Sequence, residues 1–286
     1  MRKRLDKLLA PKYAIVLNYP FQPKPRYGYG LPPHRELTRI IDKNRQVYEQ
    51  LLVEFKSYLD YFVGIPLVSG NDVSPTTPVW LNNYIEGLDP VALYAFLCLK
   101  NPKNYLEIGS GNSTKFARRA IDDHGLQTTI ISIDPHPRAE IDEICDRVIR
   151  HPVEKLDVAM FDELSAGDIL FVDNSHRAFM NSDATVVFLD VLPRLKTGVL
   201  VHFHDIFLPN DYPAKWSRRY YSEQYLLACY LLAEGTKCEI LMPNAFVGGD
   251  EQLSILLRPL WEHPQLAKVY DHACSIMGVP GVSFWI

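Results

Sequence analysis

From residue 89 to its end, the sequence alternates short apolar segments of β type with segments of helical type. This alternation is the feature that most constrains the fold, because strands separated by helices pair in parallel and form a sheet covered by helices on both faces. The pattern predicts strands at 105–108, 129–133, 147–150, 168–172, 198–203, 238–242 and 281–286, and helices at 89–100, 114–122, 141–145, 182–195 and 222–234. We therefore expect an α/β fold with a doubly wound, mainly parallel sheet. Ligands of such sheets bind at the carboxyl ends of the strands, so the residues that follow each strand are the candidates for function.

The first 88 residues have a different pattern, and we interpret them as an N-terminal extension. Six prolines within 11–34 predict an extended segment, since proline interrupts helices and central strands. Apolar residues at helical spacing predict one amphipathic helix over 36–62, which would pack on the main domain or form a homo-oligomer contact. After a loop-rich connector, Asp89 and Pro90 predict the start of the main domain, with Asp89 as a helix N-cap. The predicted domains are thus 1–88, a proline-rich and helical cap or oligomer contact, and 89–286, the ligand-binding domain.

The composition argues against two classes of partner. The 286 residues contain 30 Lys and Arg against 34 Asp and Glu, a net charge of −4, whereas nucleic-acid-binding domains present a basic surface. No apolar run reaches the roughly 18 residues of a membrane-spanning helix, so we expect no stable membrane association. The five cysteines are scattered without a CxxC pair, which is typical of reducing compartments and predicts a cytoplasmic location.

A glycine-containing turn follows the strand predicted at 105–108 and opens the next helix. Its sequence over 107–114, Glu-Ile-Gly-Ser-Gly-Asn-Ser-Thr, allows a sharp backbone turn and presents the free N–H groups of a helix N-terminus to an anion. Thr114 stands where a dinucleotide-binding fingerprint has its third glycine, which favours a carboxylate-bearing nucleoside such as S-adenosylmethionine (SAM) over a pyrophosphate. Asp134 ends the next strand, where a carboxylate accepts hydrogen bonds from ribose hydroxyls. The alternative is a purely structural strand–turn–helix with Asp134 on the surface.

In these features residues 89–286 resemble the class I methyltransferases. The resemblance implies a Rossmann-like sheet of seven strands, the last of them antiparallel and supplied by the C-terminal segment. It also implies that the methionine part of SAM binds at the glycine turn, the ribose at Asp134 and the adenine near residues 152–154. The residues implied for the SAM site are Glu107, Gly109, Ser110, Gly111, Asn112, Ser113, Asp134, Pro135 and His136.

Acidic and histidine residues follow two further strands. Asp173 and His176 come after the strand at 168–172, and His204 and Asp205 come after the strand at 198–203. Because these strands are expected to be neighbours, Asp173 and Asp205 should converge beside the SAM site. Two carboxylates that face one cleft repel each other unless they share a cation or a proton. A divalent cation is the simple solution, and oxygen ligands suit Mg²⁺.

This second cluster resembles that of the metal-dependent sugar and natural-product O-methyltransferases related to the macrocin and cephalosporin-tailoring enzymes. The resemblance implies that Asp173 and Asp205 are metal ligands and that His176 is the general base. At position 204 that group has Glu, whereas this chain has His204, which would be the third ligand. Imidazole binds Mg²⁺ poorly, so Mn²⁺, iron or another ion is a candidate beside Mg²⁺, and the alternative is that no metal binds. A two-histidine, one-carboxylate iron site built with His202, on an oxygenase of the same fold, is one alternative, and a non-catalytic binding protein is another.

Aromatic and amide side chains predict the acceptor pocket. The segment 206–213 is apolar and stiffened by proline, and we expect its Tyr212 to face Trp80, Asn83 and Tyr84 of the connector across the pocket. Arg218 and Arg219 follow, either attracting an anionic substrate or lying solvated on the surface. The sequence therefore predicts a SAM-dependent O-methyltransferase that acts on a hydroxylated small molecule, with His176, at an ordinary pKa near 6.5, taking the hydroxyl proton.

Overall fold

The computed structural model describes residues 20–233 and 238–286, so the predictions that concern residues 1–19 lie outside the described residues. A seven-stranded sheet forms the centre of the molecule, in the order β3-β2-β1-β4-β5-β7-β6. Strands β1 to β5 are parallel, and β7 is antiparallel to both of its neighbours. The predicted doubly wound sheet with a C-terminal antiparallel strand is confirmed. The strands are β1 (Asn104–Ile108), β2 (Thr129–Ile133), β3 (Arg147–Ile149), β4 (Ile169–Val172), β5 (Leu200–Phe203), β6 (Met242–Pro243) and β7 (Phe284–Trp285).

Helices flank this sheet. Every residue of β4 and β5 is buried, as expected for central strands covered on both faces. Helix α4 is also buried at every residue from 88 to 97 and packs against α5. The described helices are α1 (Arg35–Asp42), α2 (Arg45–Lys56), α3 (Leu59–Val63), α4 (Leu88–Lys100), α5 (Asn112–His124), α6 (Asp183–Val186), α7 (Glu223–Leu232), α8 (Asn244–Gly249), α9 (Glu251–Ser254), α10 (Arg258–Trp261) and α11 (Pro264–Met277). None of them is long and apolar enough to cross a membrane.

The single helix predicted over 36–62 is wrong, because the chain bends twice and forms α1, α2 and α3. At the first bend the Tyr48 hydroxyl donates to the carbonyl of Ile41, 2.6 Å away, and so satisfies a group that a continuous helix would have used. The Asn44 side chain at this bend donates to the carbonyl of Ile240 at 3.0 Å. The apolar face packs within the chain, with Phe55 edge-on to Phe96 of α4. The homo-oligomer predicted for this face stays a prediction.

Asp89 is not the helix cap that the sequence predicts. Helix α4 begins one residue earlier, and the Asp89 carboxylate is fully buried. It accepts hydrogen bonds from the backbone N–H groups of Val282 and Ser283 and from the Asn244 side chain, all at 2.8 Å. The carboxylate thus ties the start of the main domain to the segment that enters β7.

Three other predictions need correction. The strand predicted over 238–242 is reduced to the two residues of β6. The helix predicted over 182–195 starts as α6, widens into a π-helical turn at Val187–Val191 and tightens at Leu192–Arg194. Helices α8 to α11 have no counterpart in the prediction.

The extended segment before α1 lies against the loop that follows β5. The backbone N–H groups of Arg26 and Tyr27 donate to the Asp211 carboxylate, and the Tyr29 hydroxyl donates to the Asp211 carbonyl. The N-terminal segment is therefore joined to one side of the domain that carries the site. The boundary between residues 88 and 89 stays a prediction.

Candidate active site

A cavity of about 600 Å³ opens at the carboxyl ends of β1, β2, β4 and β5. One side of it is formed by the glycine turn and the loop after β2, and the other by the residues that follow β4 and β5. Segments that are distant in sequence, around Tyr84, Trp216 and Met277, complete the wall. The cavity lies where parallel α/β sheets bind their ligands.

Two glycines shape the turn between β1 and α5 in different ways. Gly109 has φ +80°, and a Cβ built on it would lie 1.8 Å from the carbonyl oxygen of Asp173, so this position requires glycine. A Cβ on Gly111 would meet no atom nearer than the Ala139 side chain at 4.0 Å. Gly109 thus allows two strand ends to approach closely, whereas Gly111 leaves open space beside the N-terminus of α5, the kind of room that a ligand in contact with the backbone needs.

Glu107 does not lie in the cavity, although the resemblance implies that it contacts SAM. Its side chain is completely buried beneath the turn, where it accepts hydrogen bonds from the hydroxyls of Thr114 and, at 3.0 Å, Tyr105. Burial raises its pKa to about 7, with the hydroxyl groups around it opposing the rise. Its role is to hold the first turn of α5 against β1.

Asp134 lies at the end of β2, at the edge of the cavity. One carboxylate oxygen accepts from the Ser110 N–H at 2.8 Å, and the other accepts from the His136 N–H at 2.7 Å. Asp134 therefore joins the glycine turn to the loop after β2. The cavity is lined by eight of the nine residues predicted for the SAM site, Gly109, Ser110, Gly111, Asn112, Ser113, Asp134, Pro135 and His136, and also by Pro152, Val153 and Glu154.

The acidic cluster consists of Asp173, Asp205 and Glu223, and His176 lies at its centre. Its Nδ1 donates to Glu223 at 2.9 Å, and its Nε2 lies 3.2 Å from Asp173 and 3.5 Å from Asp205. The residue has φ +57°, and its N–H donates to the Asn174 side chain at 2.7 Å. The predicted convergence of the two aspartates is thus present, with an imidazole between them.

The electrostatics of this cluster differ from the sequence prediction. Burial alone would lower the pKa of His176, but the hydrogen bonds to Asp173 and Glu223 and the charge of Asp205 outweigh it and raise the pKa well above the ordinary value. For Asp173, burial opposes ionisation, but the charges of His204 and His176 prevail and lower its pKa. A protonated His176 therefore balances the carboxylates in the resting site at neutral pH.

The predicted metal site is not supported. Within residues 20–233 and 238–286, no group of three or more His, Cys, Asp or Glu side chains is arranged to hold a metal ion. The imidazole of His176 lies between Asp173 and Asp205, so a proton rather than a cation relieves their repulsion. The third predicted ligand, His204, donates from Nε2 to the carbonyl of Tyr84 at 3.1 Å. The contacts of these residues therefore give no support to a site for Mg²⁺, Mn²⁺ or iron.

His202 does not form the alternative iron site with His204. It is completely buried in β5, stacked on Phe171 at 3.7 Å between ring centroids, and its Nε2 shares a 2.7 Å hydrogen bond with the Ser283 hydroxyl. Burial lowers its pKa well below the ordinary value, so the ring is neutral. His202 is a packed core histidine.

The structure separates the four predicted acceptor residues into two pairs. Asn83 and Tyr84 line the cavity. Trp80 does not, because it is completely buried and donates from Nε1 to the carbonyl of Phe62 at 3.1 Å. Tyr212 also points elsewhere: it packs among aromatic rings, including Trp216, and its hydroxyl accepts from the Gln224 N–H at 3.3 Å. Tyr212 therefore supports the wall residues Trp216 and Tyr221 from behind, whereas Trp80 packs in the core against Phe62 and Phe116.

Comparison with known families agrees with this geometry. Residues 106–206 match a family model described as a methyltransferase domain. Residues 106–206, about a third of the chain, are thus similar to a methyltransferase domain. The matched region runs from β1 to the residue after Asp205, so it includes both the glycine turn and the acidic cluster, and the family implies SAM as the methyl donor. The match supports the class I resemblance, and the narrower resemblance to metal-dependent O-methyltransferases is not confirmed. The comparison with curated proteins found no match.

Several side chains that line the cavity were not predicted as site residues. Glu223 lies in the first turn of α7, 47 residues after His176, and no local motif connects the two. Glu86, next to the connector residues that were predicted, lines the cavity while almost completely buried, and burial raises its pKa to about 7. Other wall residues that were not predicted include Arg138, Arg177, Trp216, Tyr221, Ile276 and Met277. Of the two arginines for which the sequence left open an anionic substrate or a surface position, Arg219 lines the cavity and Arg218 does not.

Proposed function

We propose that this methyltransferase domain transfers a methyl group from SAM to a hydroxyl oxygen of a small-molecule acceptor. The observation that carries the proposal is that the glycine turn and the His176 cluster face one cavity. A proton-accepting group beside the methyl donor is what an oxygen nucleophile needs, since an aliphatic or phenolic hydroxyl is a poor nucleophile until it loses its proton.

The residues that would hold SAM form the first half of the cavity. The first-turn N–H groups of α5 would bind its carboxylate, and Asp134 would accept from its ribose hydroxyls. The open space beside Gly111 fits a ligand that contacts the backbone. When bound, SAM supplies a methyl group on a positively charged sulfur.

The chemical step assigns a role to each member of the acidic cluster. An acceptor hydroxyl hydrogen-bonded to Nε2 of neutral His176 would give up its proton there while the new O–CH₃ bond forms and the S–CH₃ bond breaks. Glu223 would hold Nδ1–H throughout, which fixes the tautomer and stabilises the imidazolium that forms. Because the resting imidazole is protonated at neutral pH, the base form has to be generated by loss of that proton.

The first test is calorimetric titration of the protein with S-adenosylhomocysteine (SAH), followed by detection of SAH formed from SAM with panels of sugars and phenols. We expect SAH to bind, and we expect His176→Ala to abolish turnover while it leaves SAH affinity unchanged. His151→Ala, an exposed histidine outside the cavity wall, is the matched control. Absence of SAH binding, or full turnover in His176→Ala, would reject the proposal.

A further inference from the structure

We propose that the acceptor carries an acidic group, a carboxylate or a phosphate, and that Arg177 and Arg219 bind it. This inference rests on the proposed function, because it names the substrate class of the same cavity. Both arginines line the cavity, and both lie against Tyr221, whose ring also contacts His176.

The two guanidinium groups are held on aromatic rings. Arg219 Cζ lies 3.9 Å from the ring centroid of Trp216 and 5.4 Å from that of Tyr221. Arg177 Cζ lies 5.1 Å from the same Tyr221 ring. Arg177 also donates from Nε to the carbonyl of Arg219 at 3.0 Å and from Nη1 to the carbonyl of Ser175 at 3.0 Å. Their positions are therefore fixed by stacking and by backbone contacts, which reduces the entropy that binding would cost.

Neither guanidinium has a carboxylate partner among the residues that the structure describes, where most other arginines are paired. Arg219 and Arg177 contact rings and carbonyls, and a neutral carbonyl leaves the positive charge uncompensated. A planar guanidinium binds carboxylate or phosphate oxygens in a bidentate manner. The paired arginines are Arg39, Arg45, Arg118, Arg119, Arg147, Arg150, Arg194 and Arg258.

The position of Tyr221 sets the spacing between the two binding groups. The centroid of its ring lies 4.7 Å from the centroid of the His176 ring, and the same ring contacts both guanidinium groups. About one ring therefore separates the proposed proton acceptor from the guanidinium groups. The cavity carboxylates Asp173 and Asp205 lie on the His176 side of that ring and would repel an anion there. An acceptor with a hydroxyl at one end and an acid at the other end of a single ring fits this arrangement.

The experiment compares matched acidic and neutral ligands on the SAH-loaded protein by calorimetry. The pairs are 4-hydroxybenzoate with 4-hydroxybenzamide, glucuronate with glucose, and glucose 6-phosphate with glucose, so that the arms distinguish a carboxylate from a phosphate. We expect the acidic member of at least one pair to bind more tightly, and Arg219→Gln and Arg177→Gln to weaken its binding by about tenfold to a hundredfold.

Arg218→Gln is the matched control, because Arg218 is exposed and lies outside the cavity wall. It should keep the preference for the acid, and all three variants should bind SAH as the unmodified protein does. Equal binding of both members in every pair, failure of every acid to bind at millimolar concentration, or a preference that survives Arg219→Gln and Arg177→Gln would overturn the inference. Failure of the unmodified protein to bind SAH would reject the proposed function itself, so the two failures are distinguishable.

Discussion

Replacement of Glu223 by Gln tests how the pKa of His176, the proposed base, is set. The Glu223 side chain is completely buried, accepts from His176 Nδ1 at 2.9 Å and accepts from the Asn174 side chain at 2.8 Å. Gln has the same shape and can still accept from Nδ1 through its amide oxygen, but it carries no charge. The substitution therefore removes one negative charge from the imidazolium while it keeps the ring in place.

The size of the effect follows from the hydrogen bond that changes. A hydrogen bond to a charged group contributes about 1.5–3 kcal/mol, and one pKa unit corresponds to about 1.4 kcal/mol, so the pKa of His176 should fall by about 1–2 units. The proposed base is the neutral imidazole, whose fraction rises with pH through this pKa. The ascending limb of kcat/KM against pH should therefore move to lower pH by about 1–2 units, with a lower plateau because the base is weaker.

The measurement is the pH dependence of kcat/KM, together with an NMR titration of the His176 ring. Glu251→Gln is the matched control, because Glu251 also lies in the first turn of a helix but is exposed and outside the cavity wall. The control separates the charge on His176 from a general effect on helix N-termini. An ascending limb that stays in place or moves to higher pH in Glu223→Gln would refute this account of the base.

Three further predictions concern binding and stability. Gly109→Ala should prevent stable folding, because its Cβ would collide with a backbone carbonyl. Gly111→Ala should keep the melting temperature and weaken SAH binding, and thermal denaturation and calorimetry would show the two effects. Asp89→Ala should lower the free energy of unfolding by about 3–5 kcal/mol in urea titrations, because buried donors lose a charged acceptor. Asp211→Ala should speed proteolysis within residues 20–34 by releasing two backbone N–H groups, and an unchanged cleavage rate would contradict that role.

The sheet was predictable because each central strand is a short apolar run bounded by turn or helix signals. The errors occur at side chains whose sequence context is typical of one structural role but whose contacts in the structure give them another. Asp89 before Pro90 is typical of a helix cap, but its carboxylate binds backbone groups almost two hundred residues away. Tyr48 has the spacing of a continuous amphipathic helix, yet its hydroxyl donates to the carbonyl of Ile41 in the last turn of the preceding helix, which ends at Asp42. Tertiary hydrogen bonds of this kind leave no periodic signal.

The residues of the candidate site were predicted better than their electrostatics. Asp173, His176 and Asp205 follow adjacent parallel strands, so their proximity follows from the topology alone. The charge balance does not follow from it, because it depends on where the imidazole lies and on Glu223 from a later helix. From the sequence we predicted that the aspartates share a divalent cation, whereas the contacts of His176 favour a shared proton.

The two halves of the cavity differ in how far apart their residues lie in the sequence. The half proposed for the cofactor is local: its turn, helix N-terminus and strand-end acid lie between Gly109 and His136, and all eight residues predicted from that segment line the cavity. The acceptor half is assembled from segments far apart in the chain, including Tyr84, Arg219 and Met277. Aromatic residues there were predicted from residue type alone, and residue type does not distinguish a buried ring such as Trp80 from a ring that is exposed in the cavity. A substitution in the half proposed for the acceptor can therefore change which molecule is bound without altering the segment that matches the methyltransferase model, and this is why the substrate class has to be inferred from unpaired charges in the folded wall.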